Sequence, residues 1–134
     1  MKIRKGVVLV VKNKKGEYLL LRQRKSKSYS FISGGLEFGE RYTDAAVREA
    51  REEAGLKINL KKLTETDQKI KFSGSRKGPA EQKVFVYRPD GADVNIKVDN
   101  NEISGYEWCS KEEAFKKLKN KPPLISLIQK ADNY

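Results

Sequence analysis

The stretch from Thr43 to Gly55 constrains the fold of this chain more than any other feature of its sequence. Apolar residues recur there at helical spacing, and Ala46, Ala50 and Ala54 are all small. A helix whose apolar face is alanine can approach a flat partner closely, and a β-sheet is such a partner. Thr43 is a suitable N-cap, and Gly55 is typical of the position after a helix end. We therefore predict a helix from Thr43 to Ala54 that packs on a sheet.

Other segments predict the strands of that sheet. Lys5–Lys12 contains five consecutive Val and Leu residues, which is typical of a strand buried on both faces. Asn13–Gly16 predicts a turn, and Tyr18–Arg24 predicts the return strand of a hairpin. Five later stretches with strand character are Ile58–Leu63, Thr66–Phe72, Lys83–Arg88, Val94–Val98 and Tyr106–Cys109. Two polar stretches predicted as loops are Lys25–Ser30 and Ser73–Gln82.

The C-terminal part of the chain predicts two more helices. Ser110 followed by Glu113 forms a capping-box pattern, so Lys111–Lys119 is predicted to be helical. Pro122 and Pro123 end that helix, and Leu124–Lys130 predicts a final one. This order of elements predicts an α+β fold, an αβα sandwich around a mixed central sheet. At 134 residues we expect a single domain spanning residues 1–134.

Composition restricts the chemistry open to this chain. With no histidine and one cysteine, Cys109, the chain has no His-based triad, no His metal ligand and no Cys-cluster metal site. Acid, base and metal chemistry must therefore come mainly from carboxylates. The net charge of +11 fits an anionic partner, but the lysines are scattered from end to end, which favours a general lysine-rich bias of the proteome. The apolar run Val7–Val11 is too short for a signal sequence or membrane span, so we expect a cytoplasmic protein without a membrane partner.

The predicted helix carries an unusual concentration of acid. Glu49, Glu52 and Glu53 fall in one sector of about 100°, and each like-charge pair costs a few tenths of a kcal/mol (~0.2–0.5) in an isolated helix. A solvated acidic face and a divalent cation are two explanations for this sector. An all-oxygen site selects Mg²⁺ or Mn²⁺ over Zn²⁺. Glycines and further carboxylates precede the helix in a loop that can fold back on it, namely Gly34, Gly35, Glu37, Gly39 and Glu40.

These residues resemble the signature of the Nudix hydrolase family. Gly34 is followed by five residues and Glu40, and seven more lead to Arg48-Glu49-Ala50-Arg51-Glu52-Glu53-Ala54-Gly55-Leu56. All seven fixed positions of the signature other than the aliphatic ones match. Ala50 stands where a bulky aliphatic residue is usual, and Ile32-Ser33 replaces the usual entry into the glycines. The order of strands and the segment Glu102–Trp108 also look like the family.

The resemblance implies metal-dependent hydrolysis of a pyrophosphate bond in a nucleoside diphosphate linked to another group. The substrate would be a small-molecule nucleotide, either a nucleoside triphosphate or a nucleotide-sugar such as ADP-ribose. Mg²⁺ would be the cofactor, with Mn²⁺ as a substitute. One alternative is an RNA 5′-end pyrophosphohydrolase, for which the charge is compatible but not evidence. The other is a non-catalytic module that binds a nucleotide or RNA, although the intact signature favours an enzyme. A monomer or a homodimer is expected.

Matching positions carry the family's roles onto the acid sector. Glu52 and Glu53 should be the principal metal ligands, and Glu49 should be a further ligand or orient the attacking water. The Gly34 carbonyl is a candidate backbone ligand. Arg48 should hold the glutamates in place.

Candidate residues outside the signature have weaker support. Glu102, in a loop before a strand, is a candidate ligand or general base, with a solvated loop residue as the alternative. Glu40 is expected to fix its loop to the helix. Arg22 and Arg24 are candidates for phosphate contacts, and ordinary strand-surface charge explains them equally well. Candidates for base stacking or for lining the pocket, each with a core or rim role as the alternative, are Tyr29, Phe31, Phe72, Phe85, Tyr87 and Lys83.

Overall fold

The computed structural model describes residues 2–72, 78–91 and 94–134. The strands are β1 (Arg4–Val11), β2 (Tyr18–Gln23), β3 (Tyr29–Ser30), β4 (Ile32–Gly35), β5 (Leu63–Phe72), β6 (Ala80–Tyr87) and β7 (Ile103–Cys109). The helices are α1 (Tyr42–Ala54), α2 (Lys111–Lys117) and α3 (Pro122–Ala131), with a 3₁₀ turn at Leu60–Lys62.

The strands form two sheets that lie in one layer between the helices. The first has the order β4-β1-β6-β5, in which β1 and β6 are parallel and the other pairs antiparallel. The second is antiparallel, with the order β3-β2-β7. One apolar cluster joins the sheets to α1, and a second joins them to α2 and α3. The predicted α+β class and the mixed sheet are confirmed.

The composition of β1 follows from its place in this layer. Val7, Leu9 and Val11 belong to the cluster under α1, whereas Val8 and Val10 belong to the cluster under α2 and α3. All five side chains are at most 1% exposed. A strand covered by helices on both faces needs apolar residues at every position, which explains the unbroken run.

The prediction that Tyr18–Arg24 pairs with β1 in a hairpin is wrong. The two strands meet only at an isolated bridge between Lys12 and Tyr18, and β2 belongs to the second sheet. Both edges of β1 are already occupied, by β4 and β6, so no ladder remains for β2. Here the turn predicts a reversal of the chain but not the partner of the strand that follows.

Two further predicted strands are not strands in the structure. Val94–Val98 is irregular, because Lys97 N–H donates to the Ala54 carbonyl at the end of α1 at 2.8 Å. Its backbone therefore satisfies the helix terminus. Residues 58–62 are irregular or 3₁₀, and β5 begins only at Leu63 and runs without a break through Thr66. Ile58 still packs against the cluster under α1, so its burial rather than a ladder explains the pattern.

The helix boundaries differ from the prediction mainly at their starts. Arg41 rather than Thr43 is the N-cap of α1, because Asp44 accepts from the Arg41 N–H at 3.2 Å. Gly55 ends the helix with a φ of 61°, as predicted. The Ser110–Glu113 capping box is confirmed at the start of α2, which ends at Lys117, and α3 begins at Pro122.

The predicted loops are shorter than expected. Tyr29 and Ser30 form β3, and residues 80–82 belong to β6. Residues 73–77 of the predicted Ser73–Gln82 loop lie outside the described residues. Over the part of the chain that the structure describes, no helix has the length and apolar character needed to cross a membrane.

Candidate active site

Arg48 ties the glycine-rich loop to the acid sector of α1. Its Nε and Nη2 donate to the two carboxylate oxygens of Glu40 at 2.7 and 2.9 Å, and Nη2 also donates to the Gly35 carbonyl at 2.9 Å. Its Nη1 contacts Glu49 at 2.6 Å and Glu52 at 3.3 Å. The hydrogen bond from Arg48 lowers the pKa of Glu40. Five acceptors are thus served by one guanidinium, which fixes where both the loop and the glutamates lie.

Glu49 occupies space that only a glycine leaves open. Its side chain is buried over Gly34 of β4, and a Cβ added to Gly34 would overlap the Glu49 carboxylate. Burial raises the pKa of Glu49, whereas the Arg48 hydrogen bond lowers it. Gly6 on β1 plays a matching part that the sequence analysis missed, because a Cβ there would overlap the Gly34 carbonyl. A glycine inside a strand pattern is the available signal for such a close approach.

Glu53 is the most strongly perturbed acid of the sector. It accepts a hydrogen bond, at 3.1 Å, from the backbone N–H of Ser33 in the edge strand β4. Its pKa is raised to about 8, chiefly by burial and also by the negative charges of Glu49, Glu102 and Asp99, whereas the Ser33 hydrogen bond acts in the opposite direction. Glu102, in the loop just before β7, therefore lies on the same side of the molecule as the α1 carboxylates.

The loop that carries Glu102 is held by Arg24. The Arg24 guanidinium donates to the carbonyls of Asn101 and Asn100, both at 3.0 Å. The backbone N–H of Arg24 donates to the Glu102 carbonyl at 2.8 Å. Asp99, which the sequence analysis missed, caps the same loop by accepting from the Asn101 N–H at 2.9 Å. The run Asp-Asn-Asn was the available turn signal. A cavity of about 520 Å³ opens between Arg24 and Glu102.

The other predicted substrate residues are not gathered at the carboxylates. Phe31 is 1% exposed and packs in the cluster under α2 and α3, where it borders a small cavity that Ser33 also lines. Lys117 of α2 covers the Tyr29 ring, with Nζ 4.5 Å from its centroid. Arg22 and Lys83 are half-buried, and their side chains make no hydrogen bond or ion pair within residues 2–72, 78–91 and 94–134. Among the predicted residues, the fold thus brings Gly34, Arg48, Glu49, Glu52 and Glu53 together at one end of α1. Glu102 is near enough for its charge to act on Glu53.

The carboxylate oxygens at this site are suitable donors for a hard divalent cation, although they do not already surround one common point. Among the described residues, no group of three Asp, Glu or Cys side chains has the geometry of a metal site. Arg48 holds Glu49 and Glu52, while Ser33 holds Glu53. A buried carboxylate facing further negative charges is stabilised by a cation, and oxygen donors favour Mg²⁺ or Mn²⁺. The Gly34 carbonyl lies against Gly6 of β1, and its use as a ligand stays a prediction.

The raised pKa of Glu53 predicts how stability depends on pH without added metal. The folded protein keeps Glu53 protonated up to about pH 8, whereas its ordinary pKa is 4.5. The stabilisation is therefore complete below about pH 4.5 and is lost as the pH rises towards 8. In EDTA, we expect Glu53→Gln to melt several degrees above the parent at pH 8.5 and close to it at pH 5. A difference in melting temperature between the two proteins that stays constant from pH 5 to 8.5 would contradict the raised pKa of Glu53.

Comparisons with known proteins agree on one family. Residues 2–130 match the NUDIX domain. The RNA pyrophosphohydrolase of Pelagibacter ubique is 30% identical in an alignment of 125 positions that covers 82% of this chain and 78% of that protein.

Solved structures give the same result. The Ap4A hydrolase of C. elegans, determined as a binary complex, superposes with a TM-score of 0.81 and 25% identity, over 98% of this chain and 96% of the other. The dihydroneopterin triphosphate pyrophosphohydrolase of E. coli also gives a TM-score of 0.81, at 18% identity, over 99% of this chain and 100% of the other. At that identity the second comparison speaks for the fold alone.

Proposed function

This chain belongs to the Nudix family of pyrophosphohydrolases, and from that premise we propose that it hydrolyses a pyrophosphate bond with the aid of Mg²⁺ or Mn²⁺. The proposed substrate is a nucleoside diphosphate linked to another group. The observation that carries the proposal is the packing of two α1 acids against β4: Glu49 is buried over Gly34, and half-buried Glu53 accepts from the Ser33 N–H at 3.1 Å, where burial and the charges of Glu49 and Glu102 raise its pKa. A solvated acidic face does not bury its acids in this way, so the electrostatics favour a cation site.

Each residue of the acid sector has a distinct part in the proposed reaction. Glu53 and Glu52, both on α1, would hold the cation, with the Glu53 carboxylate beside Ser33 of β4 and the Glu52 carboxylate on the exposed side of the helix. When bound, the cation would neutralise phosphate oxygens and make water a better nucleophile at neutral pH. Arg48 keeps Glu49 in one orientation through its 2.6 Å contact, so that Glu49 can orient the attacking water.

Glu102 is the proposed acceptor of the proton released by that water. It is exposed at the mouth of the cavity, and within the described residues its carboxylate makes no hydrogen bond or ion pair. A carboxylate that is free of partners can approach the water and take its proton, whereas Glu49 is already held by Arg48.

A second candidate substrate is the 5′-triphosphate end of RNA. The Pelagibacter relative is an RNA pyrophosphohydrolase, and basic side chains flank the cavity next to Glu102, namely Arg24 and Lys25. RNA longer than a few nucleotides would contact such a rim through its phosphates, and its affinity would fall steeply with salt. A small nucleotide would show a weaker dependence on salt.

Metal dependence and substrate class can be measured in one experiment. Nucleoside triphosphates, nucleotide-sugars, dinucleoside polyphosphates and 5′-triphosphorylated RNA are incubated with Mg²⁺ and with excess EDTA, and release of phosphate and nucleoside monophosphate is followed. We expect hydrolysis in Mg²⁺ and none in EDTA, because the donor set at this site is made of oxygen atoms alone. Full activity in excess EDTA would refute the role given to the carboxylates.

A further inference from the structure

A second cavity, of about 300 Å³, lies on the other side of β4 from the buried carboxylate of Glu49. Its walls are mostly carbon, from Val8 of β1, Phe72 of β5 and Leu124 of α3. Ser33 also lines it, and the N–H of that residue binds Glu53. The cavity therefore adjoins the acid sector through one residue of an edge strand. Its volume is at the lower end of the range for small-molecule sites.

Lys121 brings a charge into this apolar cavity. The residue immediately precedes α3, and its Nζ donates to the Tyr29 carbonyl at 2.6 Å and to the Ser28 hydroxyl at 3.1 Å. Within the described residues no carboxylate lies within 4.0 Å of that ammonium, and burial lowers its pKa. An ammonium has three N–H donors, so one remains after these two bonds. A half-buried cation without a counterion favours a ligand that presents an acceptor.

The residues that line this cavity favour a heterocyclic base over a phosphate group. A phosphate group needs several donors around it, whereas this cavity offers carbon surfaces and a few polar groups, chiefly Lys121 and the Gln82 amide. A flat heterocycle matches such walls and can pack on the Phe72 ring. Guanine presents O6 and N7 as adjacent acceptors, which is the pattern a lysine recognises, whereas adenine presents an amino donor at position 6. The Gln82 amide can accept from the N1–H of a 6-oxopurine.

We propose that this cavity holds the base of the nucleotide and that Lys121 selects a 6-oxopurine such as guanine over adenine. The inference rests on the proposed function, because it takes the nucleotide to be the substrate whose phosphates reach Glu53. It adds a base preference that the acid sector by itself does not determine.

Binding of the nucleoside monophosphates tests the preference without any catalysis. GMP and AMP are titrated by calorimetry into the parent protein, Lys121→Met and Lys119→Met. We expect the parent to bind GMP at least about 10-fold more tightly than AMP, in line with the value of a specific base contact. Lys121→Met should weaken GMP about 10-fold and leave AMP unchanged. Lys119 is exposed in the turn after α2, so Lys119→Met controls for the loss of one positive charge and should change neither affinity.

The outcomes separate this inference from the proposed function. Equal affinity of the parent for GMP and AMP would overturn the preference, and so would no binding of either. If Lys121→Met weakens both ligands alike, Lys121 only supports β3 and the inference fails. If that variant does not fold, the parent ratio and Gln82→Leu decide, since loss of the amide should also reduce the preference for GMP. Selective binding of GMP without hydrolysis of any nucleotide would keep the inference and refute the proposed function.

Discussion

Glu53→Gln and Glu52→Gln should each lower the rate of hydrolysis at least ~100-fold, the size of effect expected when a group that acts on the charge of the transition state is removed. Glutamine has nearly the same size as glutamate but lacks the charge that holds a cation. The folded protein without metal should not suffer, because Glu52→Gln removes a charge that acts on Glu49, and Glu53 is already protonated below about pH 8. The measurement is the steady-state rate at saturating Mg²⁺, together with the melting temperature in EDTA.

Glu112→Gln is the matched control for these two variants. Glu112 lies in the first turn of α2 and is exposed, whereas its neighbour Glu113 closes the capping box and is less suitable. The control should keep the parent rate. Parent rates in both Glu53→Gln and Glu52→Gln would show that α1 is not the catalytic element and that its acid sector is merely solvated.

Gly34→Ala should lower the rate by ~100-fold for a steric reason. The new Cβ would overlap the Glu49 carboxylate, so this side chain must leave its place beside Arg48. Displacement by about an ångström is enough for a loss of this order when a residue positions a reacting group. Steady-state kinetics measure the effect, and it should fall mainly on kcat, because Gly34 offers no side chain to the substrate.

Gly35→Ala is the control for the neighbouring position. A Cβ there would meet only the Lys5 carbonyl at 3.8 Å, an ordinary contact, and the Gly35 carbonyl would keep its bond to Arg48. We expect a rate within a few-fold of the parent. Equal losses in the two alanine variants would mean that the loop tolerates no change at all, and the specific packing of Glu49 over Gly34 would not be the cause.

The acid sector could be predicted from sequence because its geometry is local. Residues four apart on a helix lie on one face wherever the helix packs, so Glu49 and Glu53 are neighbours in any fold that contains this helix. The alanine face of α1 was predictable for the same reason, and Ala46, Ala50 and Ala54 are all fully buried. The fit of Glu49 over Gly34 depends on β4 lying under α1, which spacing along the chain does not reveal.

Contacts between distant segments explain the errors. One partner of β2 is β7, eighty or more residues later, and no local turn signal specifies such a pairing. The charge of Arg24 is visible in the sequence, whereas the hydrogen bonds by which it holds the carbonyls of Asn100 and Asn101 are seen only in the folded chain. Lys121 was missed because a lysine next to two prolines is usually exposed, and only the folded chain places it in a cavity.

The central claim, that the carboxylates of α1 hold a divalent cation, is tested most directly by the anomalous scattering of Mn²⁺ in crystals of the parent protein and of Glu53→Gln. The predicted result is an anomalous difference peak at the carboxylates of Glu52 and Glu53 in the parent, which is lost or greatly weakened in the variant. If instead no peak appears at α1 in crystals soaked at a Mn²⁺ concentration that supports hydrolysis, the cation is bound elsewhere and the account of this site is wrong.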